Sequence, residues 1–151
     1  MRVTALALVL AATLGCVSAS ALVDPKPVMA APSAELTRKA IARACLRTGF
    51  SVDAELPGES HCTIHQNEWR ISVAVKYDAA HAQVHYLDSL NMNYSPNHGQ
   101  PKIRSSYNHW VQDLSDAIDH EAHLITADEN PDALLGPPVA APAKEAAKPA
   151  P

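Results

Sequence analysis

No stretch of this 151-residue sequence stays apolar for the ~20 residues that a membrane-crossing helix needs; the longest, residues 3–14, is too short. No nucleophile, base and orienting carboxylate stand at an interpretable spacing, so the sequence gives no support for an enzyme. It also lacks a basic stripe, and its formal charge is only −4, which argues against a nucleic-acid partner. Cysteine is scarce, at positions 16, 45 and 62. Neither an internal repeat nor a second apolar block is present, which leaves room for one small domain.

What is present begins with the leader. One basic residue, Arg2, precedes the apolar run 3–14, then Gly15-Cys16 and the small residues 17–21, the layout of an export signal. A periplasmic or membrane-surface location follows. Two processing routes compete within residues 1–21. A cut after Ala19-Ser20-Ala21 frees a soluble chain starting at Leu22. A cut before Cys16 resembles bacterial lipoprotein processing, in which the thiol is acylated and tethers the chain to a membrane, although Thr13 departs from the usual aliphatic residue. Each lipid methylene buried in a bilayer contributes ~0.8 kcal/mol.

Composition divides the remainder. Residues 22–32, with Pro25, Pro27 and Pro32, read as a linker, and residues 33–126 as a single domain. Residues 127–151 become so rich in Ala and Pro, and so poor in large apolar groups, that they read as a disordered tail.

Within the domain, Leu36, Ala40, Ile41, Ala44 and Cys45 recur at helical spacing until Gly49 stops the pattern. A short strand fits residues 50–52, and a clearer one residues 60–65. Residues 69–77 alternate strictly between apolar and polar, as a half-buried strand does. A third strand runs over residues 81–89. Tyr107, Trp110, Val111, Leu114, Ala117 and Ile118 mark a last helix, with Ser105, Ser106 and Asn108 as capping candidates. The expected fold is α+β: a helix, a three-stranded antiparallel meander with room for a short extra strand, and a second helix, both helices on one face. Cys45 and Cys62 are either two buried thiols or a disulfide worth ~3 kcal/mol in the chain-entropy model.

Residues 88–94, Asp-Ser-Leu-Asn-Met-Asn-Tyr, then Ile103 and the run Tyr107-Asn108-His109-Trp110-Val111, resemble a family of small bacterial envelope proteins, many of them lipoproteins. That family carries a Ser-x-Asn-x-x-Tyr pattern followed by Tyr-Asn-x-Trp-Val. The resemblance spans roughly residues 36–120 and implies an envelope location without a particular activity. Arg104 stands where the family often has histidine. Ser89, Asn91, Tyr94, Tyr107 and Asn108 either satisfy backbone groups at the strand end or form a polar ligand pocket there.

Eight histidines are unusual for this length. His61/His65 and His81/His85 are four apart, which on strands separates their Cα atoms by ~13 Å and excludes one shared ion. Across strands, pairing of His65 with Arg70 and of Val75 with Val84 would set His61 and His85 on either side of Ala74. Both could then reach one zinc or copper ion, without an evident third ligand. His120-Glu121-Ala122-His123 lacks the zinc-protease spacing and instead suits a helix C-terminus. Of the 12 Lys and Arg, removal of Arg2 leaves 11 against 16 acidic residues, a charge of −5 that becomes +3 with all eight histidines protonated.

Three classes of function result. The leading expectation is a non-catalytic envelope interaction module offering Arg70, Ser72, Ala74, Lys76, His61 and His85 to another envelope protein. The second is a histidine-based metal-binding or acid-responsive protein. The third is an enzyme, for which no motif speaks.

Overall fold

The computed structural model describes residues 19–96 and 99–129. Strands β1 (Ala19–Ala21) and β2 (Val28–Met29) precede helix α1 (Ala34–Arg47). Strands β3 (Ser51–Leu56), β4 (Glu59–Gln66), β5 (Trp69–Tyr77), β6 (His81–Leu90) and β7 (Lys102–Arg104) follow, and helix α2 (Ser106–Glu129) closes the fold.

Helix α1 begins where Ser33 Oγ accepts the Leu36 N–H (3.2 Å). It ends because Gly49 takes a left-handed φ of +85°, letting the Phe50 N–H donate back to the Cys45 carbonyl (2.8 Å). The strict alternation in β5 buries Ile71, Val73 and Val75 completely. They share one core with Ile41, Ala44 and Cys45 of α1 and with Val111, Leu114 and Ile118 of α2. A disulfide joins Cys45 of α1 to Cys62 of β4, tying the helix to the sheet.

The expected three-stranded meander is overturned. The main sheet has five antiparallel strands in the order β2-β6-β5-β4-β3, and β1 pairs with β7 in a separate two-stranded ribbon. The central three strands carry the alternation that sequence reasoning detects; the additional ones do not. Strand β3 has its alternation broken by a bulge between Val52 and Ala54, while β2, β1 and β7 are two or three residues long. Helix α1 packs on β3, β4 and β5, α2 packs on β2, β6 and β7, and the helices also pack on each other.

Residues 22–32, read from composition as a linker, lie along the sheet. Val28 pairs with Ala82 and Met29 with His81, placing this segment at the outer edge of β6. Pro25 and Pro27 have no N–H to offer a ladder, so side chains complete the attachment. Asp24 accepts the Tyr86 N–H (3.2 Å), and the Gln83 amide donates to the Pro25 carbonyl (3.0 Å).

Candidate functional site: the open face of the sheet

Opposite the helices, β4, β5 and β6 present their polar residues in rows fixed by register. Glu59, Lys76 and Gln83 form one row, and His61, Ala74 and His85 the next. Thr63, Ser72 and Asp88 form a third, after Leu87 bulges out of the β6 ladder. The imidazoles therefore flank Ala74 as strand pairing implied. Each, however, already has a carboxylate neighbour. His61 Nε2 lies 2.6 Å from Glu59 Oε1, and His85 Nδ1 lies 3.0 Å from Asp24 Oδ2. Among the described residues, no group of three or more His, Cys, Asp or Glu side chains is placed to hold a metal ion.

The other residues expected on this face divide by accessibility. Arg70 is half-buried and forms an ion pair with Asp88, while the Ser72 and Thr63 hydroxyls share a hydrogen bond (2.7 Å). Ala74, with 3% of its surface exposed, is too covered to meet a partner. Lys76 is exposed and, among the described residues, has no carboxylate within ion-pair distance.

Lys76 lines an open cavity of about 790 Å³ between the N-terminal segment and the β3–β4 turn. Lys26 and Pro27 form one wall, Pro57 and Gly58 the other, and Glu59, Gln83 and His85 contribute to the surface between. The cavity's charges are unevenly committed. Glu59 holds His61, and Asp78 Oδ1 accepts the N–H groups of Ala80 (2.7 Å) and His81 (2.8 Å). Those two N–H donors hold the Asp78 carboxyl below its ordinary range. Lys26, exposed like Lys76, is also free of an ion-pair partner among the described residues. Cationic groups are thus the ones this cavity leaves available.

The polar residues of the Ser-x-Asn-x-x-Tyr and Tyr-Asn motifs are engaged with neighbouring parts of the fold. Asn91, at φ +58°, donates its amide to the Glu68 carbonyl (2.8 Å) and braces the β4–β5 turn. Ser89 shares a hydrogen bond with the Tyr86 hydroxyl (3.0 Å). Tyr94 stacks on Tyr86, and Tyr107 meets the same ring edge-on. Burial raises the Tyr86 hydroxyl pKa despite the opposing Ser89 hydrogen bond. The same cause pushes Tyr107 far above the tyrosine range, with the Asp24 carboxylate and Tyr86 adding to it. Asn108 does not cap α2. Its amide donates to the Ala21 carbonyl (2.7 Å) and Ser20 Oγ (3.2 Å), and its Oδ1 accepts the Val23 N–H (3.1 Å). The Arg104 guanidinium lies 4.3 Å above the Trp69 ring.

His120 and His123 sit inside α2, which continues to Glu129, and not at its C-terminus; the intervening Glu121 pairs with Arg47 of α1 (3.0 Å). Cys16 and residues 130–151 lie outside the described residues. No described helix is long and apolar enough to cross a membrane.

Sequence reasoning found Lys76, His61 and His85 but missed Asp24, Lys26, Glu59 and Gln83. Glu59 was legible, since positions 59 and 61 share a strand face. Asp24 was not, because 61 residues separate it from His85. No family model, curated protein or solved structure matches the chain.

Proposed function

We propose that this is an exported protein of the bacterial envelope, in the periplasm or held at a membrane surface, that acts as a non-catalytic binding module. It engages an envelope protein carrying acidic groups through the open face of its sheet. The leader in residues 1–21 supports export. The observation that carries the binding role is the open cavity of about 790 Å³, whose acidic side chains are engaged internally while Lys26 and Lys76 have no ion-pair partner among the described residues. Attraction of this kind favours encounter and specificity and weakens as salt rises.

Photo-crosslinking residues placed in living cells at positions 72 and 76, with Arg43 and Lys39 on the exposed side of α1 as controls, test this reading. The expected result is a discrete adduct from 72 and 76, absent from 39 and 43, and reduced when Lys26→Glu removes the second cation. Equal labelling from all four positions, or none from 72 and 76, would contradict it.

A further inference from the structure

The first strand of the fold lies within the segment that one of the two processing routes would discard. Ala19, Ser20 and Ala21 pair in register with Arg104, Ile103 and Lys102. Leu22 continues the attachment by donating its N–H to the Pro101 carbonyl (2.8 Å). At the start of α2, both acceptors of the Asn108 amide, Ser20 Oγ and the Ala21 carbonyl, belong to the same three residues.

From these contacts we infer that export processing cuts the chain upstream of Ala19, leaving β1 in the mature protein. The inference rests on the export reading above and concerns only where the leader is removed. Of the two routes legible in the sequence, the cut before Cys16 preserves β1, whereas the cut after Ala21 destroys it. The second route would have four physical consequences. Strand β7 would lose its partner along one edge while Ile103, fully buried, remained in its centre. The Asn108 amide would lose both acceptors in a half-buried setting. A charged ammonium would replace the Leu22 amide at a half-buried position. Arg104, whose backbone pairs with Ala19, would also lose a constraint that holds its guanidinium over Trp69.

The decisive measurement is the N-terminal residue of the full-length protein isolated from the cells that make it, read by N-terminal peptide mass spectrometry. An N-terminus within residues 15–19, after the apolar run, is expected. A chain beginning at Ser20 or later overturns the inference while leaving export intact. A chain beginning anywhere before Gly15 overturns both.

A stability comparison adds a separate readout. A chain starting at Val17 should melt roughly 5 °C above one starting at Leu22, the scale expected when a few hydrogen bonds are lost from a domain of this size. Asn108→Ala should lower the melting temperature of the longer chain more than that of the shorter one, because Ser20 Oγ and the Ala21 carbonyl are already gone from the shorter chain and only the Val23 N–H remains to be lost. Equal melting temperatures for the two chains, or an equal effect of Asn108→Ala on both, would contradict the structural basis of the inference.

Discussion

On the covered side of β5, Ile71, Val73 and Val75 are sealed between the sheet and two helices, while on the other side of the same strand Ser72 and Lys76 stand in polar rows that no described helix covers. The first side is held by apolar burial and by the Cys45–Cys62 bond, which joins a helix directly to the sheet. The second is ordered by local pairings, Glu59 with His61, Asp24 with His85, Arg70 with Asp88 and Thr63 with Ser72, and leaves Lys26 and Lys76 at the cavity without an ion-pair partner among the described residues. A surface assembled this way can lose a charge without losing its fold. That difference separates what the molecule needs to exist from what it offers to a partner.

The largest expected effect comes from the covered side. Leu114→Ala should cost about 2–5 kcal/mol in urea unfolding, because Leu114 is fully buried and its removal leaves a cavity. Replacing Cys45 and Cys62 by alanine should cost about 3 kcal/mol under oxidising conditions, from the freedom regained by the unfolded chain. Similar values for Lys76→Glu would erase the distinction between the sides. That substitution should instead change unfolding free energy by no more than about 0.5 kcal/mol while weakening the crosslink from position 72.

A smaller effect sharpens the comparison at the β5–β6 turn. The Asp78 carboxyl is depressed below its ordinary value of 3.8 by the N–H groups of Ala80 and His81. Its contribution is therefore complete above that ordinary value and lost as pH falls through the lower folded value. Hydrogen exchange on Ala80 and His81, corrected for intrinsic rates, should show protection falling in this acid window, below about pH 4. In Asp78→Ala the pH dependence should vanish, and its persistence would point to another group.

Legibility in the sequence followed the same division. The alternation of residues 69–77 located β5 and its buried residues, and pairing arithmetic from His65/Arg70 and Val75/Val84 placed both imidazoles beside Ala74. Glu59 beside His61 was within reach of the same strand geometry, but that arithmetic could not reveal that Asp24 holds His85 or that Ala74 is covered. Strand β2 escaped notice because Val28 and Met29, set among prolines and alanines, are too few to carry a period. Asn108 was legible as a polar residue near a helix start, yet its partners lie 85 to 88 residues away, a relation that no local pattern encodes.

We propose that the open face, and not the helical one, meets a partner in the envelope. Amine-reactive labelling of intact cells and of the purified protein, quantified at Lys26, Lys76 and the α1 residue Lys39, tests it most directly. Lys26 and Lys76 should be several-fold less reactive in cells than in isolation while Lys39 is unchanged. Unaltered reactivity at Lys26 and Lys76, or protection confined to Lys39, would contradict it.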